Sequence, residues 1–171
     1  MVDALPIETE RLLIRSSVVE DAEAFLDIYS DPEVTRWLGG PISKTVEQVR
    51  ERIGLRRSIQ QRHGFSLWTV VEVETGTIIG SAGLFPVEGD GPDVEVAYHF
   101  RKDRWGRGYA TEAAKACLDY GFDVAGLDTI IGLVAPENIA SARVLEKCGM
   151  TRAGTAHHYD MDLTKYTAAR R

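Results

Sequence analysis

The chain is poor in cysteine and contains no long apolar run. Its 171 residues include two cysteines, Cys117 and Cys148, and both fall on the apolar faces of predicted helices. This pattern argues against a disulfide-bonded scaffold and is typical of small core residues. No apolar stretch approaches the roughly 18 residues that a membrane-spanning helix needs. The first residues also lack the hydrophobic segment of a signal peptide, so we expect a cytoplasmic protein with no membrane partner.

Histidine is scarce as well, and acidic residues outnumber basic ones. The four histidines show no metal-ligand spacing, so we expect no metal site. The formal net charge is −6, and the sequence pI is about 5.3. Such a surface disfavours nonspecific binding to nucleic acid or to anionic membranes. It is compatible with a cationic partner, such as an amine or a basic peptide, and equally with a protein that is simply soluble.

The composition suits one globular domain that spans residues 1–171. Hydrophobic residues make up 44% of the chain and charged residues 27%, which is enough for a core and argues against disorder. The periodicity of apolar residues predicts a mixed α/β order. In that order, strands are predicted at 10–16, 65–74, 77–85, 94–100, 129–135, 150–156 and 159–166, and the main helices at 22–31, 45–62, 110–125 and 139–148. The tail at 167–171 is predicted to fray.

The most informative stretch is residues 94–125, which predicts a strand, a loop and a helix. Period-two alternation places Val96 and Phe100 on one face of the strand, and Glu95 and His99 on the other. The helix that follows carries its small and apolar residues on one stripe. Because a second apolar strand comes next, we expect a right-handed parallel crossover within a largely antiparallel sheet.

The loop in this stretch, here called the glycine loop, reads Trp105-Gly106-Arg107-Gly108-Tyr109-Ala110-Thr111. Its two glycines allow a tight turn and a close approach to a ligand, and the helix N-terminus after it favours an anion. Positive charge is added by Arg101, Lys102, Arg104 and Arg107. The loop therefore predicts a phosphate or pyrophosphate pocket, with a basic turn that binds nothing as the alternative. A P-loop and a GxGxxG fingerprint both fail to match.

Two runs of sequence carry a specific resemblance. Residues 98–122, YHFRKDRWGRGYATEAAKACLDYGF, resemble the acetyl-CoA-binding motif of the GNAT N-acetyltransferase superfamily. Residues 134–150, VAPENIASARVLEKCGM, are similar to the next motif of that family, at the usual separation. The opening TERLLIRSSVVEDAEAFLDIYSDPEV resembles the branch that includes ribosomal-protein alanine N-acetyltransferases. One departure is Trp105, which stands where the family often has Gln or Arg.

The resemblance implies a fold and a cofactor site. The expected fold is the GNAT fold, in which the central strand and the next parallel strand splay apart and the pantetheine arm of acetyl-CoA lies in the gap. The glycine loop would bind the pyrophosphate through its N–H groups and Arg107. The strand end at His99, Phe100 and Arg101 resembles the segment that pairs with the pantetheine amides. Asn138 matches an asparagine that reaches the same arm and is also a natural N-cap.

The resemblance also implies candidates for the chemistry. Glu95 matches a glutamate that often serves as general base, frequently through water; the alternative is an ordinary charge on a half-exposed strand. Many family members use a tyrosine as general acid where this chain has Leu145, which cannot donate a proton. In the ribosomal-protein branch a serine that matches Ser141 has that task, so Ser141 is our candidate to protonate or stabilise the thiolate. Its alternative role is a second capping residue.

We therefore expect an acetyl-CoA-dependent N-acetyltransferase that acts directly on a primary amine. The acceptor would be a protein N-terminus or a small molecule, and its identity is not readable from the sequence. The competing interpretation is a noncatalytic acyl-CoA-binding module on the same fold. A monomer and a homodimer are equally compatible with the sequence.

Overall fold

One mixed sheet forms the centre of the molecule. The computed structural model describes residues 4–39 and 42–171. In that part of the chain the strands are β1 Ile7–Glu8, β2 Leu12–Arg15, β3 Leu67–Glu72, β4 Thr77–Pro86, β5 Val94–Phe100, β6 Thr129–Val134, β7 Thr151–His158 and β8 Met161–Ala169. Their order across the eight-stranded sheet is β1-β2-β3-β4-β5-β6-β8-β7. Among these described strands β5 and β6 are the parallel pair.

Helices cover both faces of this sheet. They are α1 Ala22–Tyr29, α2 Pro32–Thr35, α3 Val46–His63, α4 Tyr109–Asp123 and α5 Ile139–Lys147. Helix α4 packs on β4 and β5 and also against α5, whereas α1 packs on α3 and β4. Along β5, Val96 and Phe100 enter the same buried cluster as the α4 residues, while the ring of His99 meets Tyr29 of α1. Since successive side chains of a strand point to opposite faces, α1 and α4 lie on opposite sides of β5.

Two glycines let α4 and α5 approach the sheet closely. A Cβ on Gly121 would lie 2.5 Å from Ile130 Cδ1, and a Cβ on Gly132 would lie 2.6 Å from Leu145 Cδ1. Both distances are well inside van der Waals contact, so only glycine fits at either place without a shift in packing. The core between α4 and the sheet is completed by Trp68 and by aromatic and aliphatic residues around it.

Local side-chain and backbone chemistry sets several helix ends. Thr45 caps α3 by accepting the Gln48 N–H at 3.2 Å, and the left-handed Gly64 ends that helix. Asp31 accepts the Glu33 N–H and opens α2, with Pro32 in the first turn of that helix. No helix of residues 4–39 or 42–171 is long and apolar enough to cross a membrane.

The two ends of the sheet differ from the sequence prediction. The short strand β1 was not expected, and it pairs with β2 through Ile7 and Ile14. The prediction of a frayed tail is wrong, because β8 continues to Ala169, which is the register partner of Thr129. Strand β6 would otherwise present an unpaired edge, and the last residues of the chain supply the missing hydrogen-bond partners.

Candidate active site

Strands β5 and β6 separate as soon as they have met. Within the described chain their one pair of register partners is Glu95 and Ile131, although β5 runs on to Phe100 and β6 to Val134. Strand β4, by contrast, follows β5 along its whole length. The sheet is therefore open beside the second half of β5. This β5–β6 opening leaves main-chain donors and acceptors without a neighbouring strand.

The register of β4 and β5 decides which main-chain groups face the opening. The Arg101 N–H donates to the Ile79 carbonyl at 2.8 Å. In an antiparallel ladder, the residues that bond to one neighbour alternate with those that face away from it. The main-chain groups of His99 and Arg101 are therefore turned towards β4, and those of Tyr98 and Phe100 towards the opening. Of the three strand-end residues predicted to pair with pantetheine, only Phe100 has main-chain groups that face the opening. The main-chain groups of Tyr98, which was not among the three, face it too.

The glycine loop has the backbone that an anion site requires. Gly106 and Gly108 have φ of 71° and 84°, in the left-handed region that glycine tolerates best. Gly108 precedes the first residue of α4, and no side chain caps this helix end. The N–H groups of the first turn therefore have no intrahelical acceptor and can bind an anion. The indole N–H of Trp105 donates to the Phe100 carbonyl at 2.9 Å, which fixes the start of the loop against β5.

A pair of residues that the sequence analysis did not identify braces this loop. Glu112 accepts hydrogen bonds from the Thr9 hydroxyl at 2.7 Å and from the Arg11 Nε at 2.7 Å. Arg11 also donates from Nη1 to the Arg107 carbonyl at 2.9 Å. Its guanidinium carbon lies 4.3 Å from the centre of the Tyr109 ring. The segment before β2 thus holds both the loop and the first turn of α4.

Glu72 anchors the other side of the loop. This buried carboxylate accepts the Tyr109 hydroxyl at 2.7 Å and the Arg104 Nε at 3.1 Å. Hydrogen bonds from Thr75, Tyr109 and Arg104 lower the pKa of Glu72 to about 2. Glu72 is therefore ionised throughout the neutral range, and it holds the end of β3 against the residues on either side of the glycine loop.

Most of the basic side chains around the loop are already paired. The pairs are Arg101 with Asp27, Lys102 with Glu33, and Arg104 with Glu72. Arg107 forms no salt bridge within the described residues. An open cavity of about 380 Å³ adjoins the loop at Gly108 and Thr111, and it is also lined by Lys115, Lys147 and the carboxylates of Glu10 and Glu112. Free positive charge near the loop thus comes from Arg107 and from two lysines that the sequence analysis did not include.

Asn138 and Ser141 lie where β6 passes into α5. Asn138 caps the helix as predicted, with its Oδ1 accepting the Ser141 N–H at 3.2 Å. The Ser141 hydroxyl lies 3.0 Å from the hydroxyl of Tyr98, so the two meet on the α4 and α5 side of the opening. Burial raises the pKa of Tyr98 above its usual value, and its hydroxyl stays protonated. Leu145, where many relatives carry tyrosine, is a core residue with 1% of its surface exposed.

Glu95 is buried, which rules out the half-exposed strand charge considered above. Its exposed fraction is 8%, and the Tyr159 hydroxyl donates a hydrogen bond to its Oε1. Burial raises the pKa of Glu95 to about 7, against the opposing effects of the Tyr159 hydrogen bond and the charge of His158. A carboxyl that is half ionised near neutral pH is suited to accept a proton from an amine.

His99 belongs to a polar cluster on the same face as Glu95. The Tyr29 hydroxyl lies 2.8 Å from Ser81 Oγ and 3.4 Å from His99 Nδ1. Arg56 donates to the same hydroxyl at 3.3 Å. Burial, assisted by the charge of Arg56, lowers the pKa of His99 to about 4. The imidazole is therefore neutral, and its contacts attach α1 to the sheet.

The candidate residues thus lie on two sides of one opening. Ser141 and Tyr98 lie on the side of α4 and α5, near the two helix N-termini that follow β5 and β6. Glu95 lies on the side of α1. A thioester that enters from the helix N-termini and an amine that approaches from the α1 side would meet within the opening. This arrangement allows direct transfer without a nucleophile from the protein.

The sequence matches a family model over most of its length. The matching model is described as an acetyltransferase (GNAT) domain, and it covers residues 11–151. The chain belongs to the GNAT acetyltransferase family. The strand, glycine loop and α4 of this GNAT protein lie inside the matched region, as does the Asn138 cap.

Curated relatives of this GNAT protein agree with that assignment. The uncharacterized protein YkkB of Bacillus subtilis is 34% identical over 160 residues, which is 92% of each chain. The uncharacterized N-acetyltransferase p20 of Bacillus licheniformis is 30% identical over 152 residues, covering 89% of this chain and 85% of the relative. The enzyme class is therefore that of an N-acetyltransferase.

Solved structures confirm the predicted GNAT fold. A GNAT-family acetyltransferase from Bacillus anthracis is 30% identical, with a TM-score of 0.80 over 95% of this chain and 97% of that one. The ribosomal-protein-S5-alanine acetyltransferase of Vibrio fischeri is 20% identical, with a TM-score of 0.79 over 96% of both chains. The ribosomal L7/L12 acetyltransferase RimL in complex with coenzyme A is 14% identical, with a TM-score of 0.82 over 96% of this chain and 97% of that one. The last two bear on the fold alone.

Proposed function

We propose that this N-acetyltransferase moves the acetyl group of acetyl-CoA directly to a primary amine. The observation that carries the proposal is the β5–β6 opening, with an uncapped helix N-terminus on one side and a buried carboxyl on the other. The coenzyme A in the RimL complex, which shares this fold, is consistent with such a cofactor. The acceptor is a protein N-terminus or a small amine.

The residues around the opening fit the parts of acetyl-CoA. Its pyrophosphate needs several N–H donors and local positive charge, which the glycine loop, Arg107 and the first turn of α4 supply. Its pantetheine amides need strand-like partners, and the main-chain groups of Tyr98 and the N–H of Phe100 face the opening, while the Phe100 carbonyl already accepts the Trp105 indole N–H. Asn138 uses its Oδ1 to cap α5, so its amide N–H₂ is left to reach the same arm.

Glu95 acts as the general base in this proposal. The amine nitrogen attacks the thioester carbonyl carbon, the carbon–sulfur bond breaks, and the proton lost by nitrogen passes to the Glu95 carboxylate. Because the pKa of Glu95 is about 7, a useful fraction of the enzyme carries the base in its ionised form at neutral pH. The sulfur leaves as a thiolate, which needs a hydrogen-bond donor or a proton.

Ser141 meets that need at the sulfur. Its hydroxyl has one proton to donate, and the Tyr98 hydroxyl lies 3.0 Å from the serine oxygen and 3.1 Å from the Ser141 carbonyl, to which it donates. Because the Ser141 carbonyl takes the Tyr98 proton, the serine proton can either bond to the Tyr98 oxygen or point into the opening, and the thiolate, as the stronger acceptor, draws it into the opening. The raised pKa of Tyr98 keeps its proton in place, so this pair stabilises the thiolate by hydrogen bonding, and solvent supplies the final proton.

A coenzyme A release assay over a panel of amines tests the proposal. The panel contains peptides that begin with Ala or Ser, polyamines, aminoglycosides and amino acids. We expect release that depends on at least one amine class and acetylation of that amine by mass spectrometry. Binding of acetyl-CoA by calorimetry without release across the whole panel would favour the noncatalytic acyl-CoA-binding module. No calorimetric binding would overturn both.

A further inference from the structure

Tyr159 lies in the turn that joins β7 to β8. Tyr159 and the following Asp160 have φ of 54° and 56°, the pair of left-handed residues that a two-residue type I′ turn requires. Residues other than glycine adopt this backbone conformation infrequently. The turn brings the Tyr159 hydroxyl to Glu95 Oε1, across 64 positions of sequence.

Two further hydrogen bonds fix this tyrosine. Its main-chain N–H donates to Glu88 Oε1 at 2.9 Å, and the Glu88 N–H donates to the Tyr159 hydroxyl oxygen at 3.0 Å. Because the hydroxyl oxygen accepts from Glu88, its single proton is directed to Glu95. Gly39 closes on the other side, where an added Cβ would lie 2.7 Å from Tyr159 Cβ. The ring is thus held by three separate segments.

We propose that Tyr159 is the positioning residue for the base: it holds Oε1 of Glu95 so that Oε2 is turned to the acceptor amine. No group among the described residues donates to Oε2, so that oxygen is free to take the proton. This inference rests on the proposed function, in which Glu95 is the base. It assigns a role to a hairpin residue that belongs to neither sequence motif.

The surroundings of Glu95 show why its proton affinity should report on Tyr159. The charged groups that face it are His158 of β7, which stabilises the carboxylate, and Glu88, which opposes it. Its register partners Phe85 on β4 and Ile131 on β6 carry no charge. Among the residues that the structure describes, the Tyr159 hydroxyl is the one neutral donor to this carboxylate, and its loss favours the protonated form.

The variant Tyr159→Phe removes the hydroxyl and keeps the ring. We expect the midpoint of the activity profile to move upward by about one pH unit, the size that loss of one such donor gives. Relative to the wild type, kcat/KM should fall about fivefold at pH 7 and lie within about twofold above pH 9. Comparing the two enzymes at each pH cancels the titration of the amine. A ratio that is low by the same factor at every pH would indicate a merely structural tyrosine and overturn the proposal.

Tyr166→Phe is the matched control, because Tyr166 also donates to a carboxylate, Glu146 Oε1 at 3.0 Å, on the opposite side of the sheet. It should leave the midpoint unchanged. A second variant, Gly39→Ala, places a Cβ 2.7 Å from Tyr159 Cβ and 2.8 Å from Met161 Cε. It displaces Tyr159 without removing its hydroxyl and should also raise the midpoint. An unmoved midpoint in both Tyr159→Phe and Gly39→Ala would contradict the inference.

A titration without substrates separates this inference from the proposed function. The carboxyl carbon of Glu95 can be followed by ¹³C NMR, with assignment from the Glu95→Gln spectrum. We expect its midpoint to rise in Tyr159→Phe and to stay in Tyr166→Phe. If the Glu95 midpoint rises in Tyr159→Phe but the enzyme acetylates no amine, the Tyr159–Glu95 contact is supported and the proposed function is wrong. If the Glu95 midpoint does not change but the enzyme acetylates an amine, the proposed function stands and the role of Tyr159 is wrong.

Discussion

Replacing Glu95 by glutamine should remove activity and stabilise the fold at the same time. Glutamine keeps nearly the same shape and still offers an oxygen to the Tyr159 hydroxyl, but it cannot take a proton. Loss of a general base lowers the rate by about 10²- to 10⁴-fold. Affinity for acetyl-CoA should be retained, because Glu95 lies on the side of the sheet opposite the glycine loop.

The stability effect follows from the raised pKa of Glu95. Burial moves this pKa from 4.5 to about 7, so the folded protein holds the proton more tightly than the unfolded chain does. The wild type therefore loses stability as pH rises from about 4.5 to about 7, and nothing further above that. At about 1.4 kcal/mol for each pH unit, the loss is about 3 kcal/mol. The glutamine variant has no such loss.

Urea unfolding of both proteins at pH 4 and pH 8 measures this effect. The difference in unfolding free energy between variant and wild type should be about 3 kcal/mol more favourable to the variant at pH 8 than at pH 4. Any cost of burying the amide is the same at both pH values and cancels. An equal difference at the two pH values would refute the claim that Glu95 titrates near neutrality. A wild-type pH–rate profile in the variant would remove Glu95 from the mechanism.

Three other substitutions test the cofactor side. Gly108→Val should abolish detectable acetyl-CoA binding in calorimetry, because it puts a branched side chain at φ 84° beside the exposed N–H groups. The control is Gly126→Val, at φ 70° beyond the other end of α4. It carries similar backbone strain and should bind acetyl-CoA normally. Ser141→Ala should lower kcat by about tenfold with an unchanged melting temperature, and a wild-type kcat would assign the thiolate to solvent. Glu72→Gln should lower the melting temperature at pH 7. The difference should shrink as pH falls from 4.5 to about 2, because protonation of Glu72 removes the stability that its lowered pKa contributes. A melting-temperature difference that is constant with pH would contradict the anchoring role of Glu72.

The local pattern of apolar residues and the two motifs predicted much of the fold. Strand β5 has the bounds that alternation predicted, Asn138 caps α5 as expected, and the family assignment made from residues 98–122 and 134–150 is confirmed. These features depend on residues close together in the chain, where period, capping and turn chemistry act directly. The roles of Glu95, Ser141 and the glycine loop remain predictions that the geometry supports.

The contacts that complete the site were not visible in the sequence. Tyr159 reaches Glu95 across 64 positions, Tyr98 reaches Ser141 across 43, and Arg11 reaches Glu112 across 101. Although Tyr98, Glu112 and Ser141 lie within the two motifs, their partners could not be predicted from spacing along the chain, because the order of the strands in the sheet decides which residues meet. Likewise, Arg104 was expected to add positive charge for a phosphate, but its charge is paired with Glu72.

The sequence by itself determined the strand, the glycine loop, the helix and the family, since these rest on short-range stereochemistry. Only the tertiary structure decided which main-chain groups of β5 face the opening, and that Glu95 is buried with a pKa near neutrality. The physical reason is that ladder register and desolvation depend on neighbours brought from distant parts of the chain. Hydrogen-bond direction and proton affinity are therefore set when the sheet assembles.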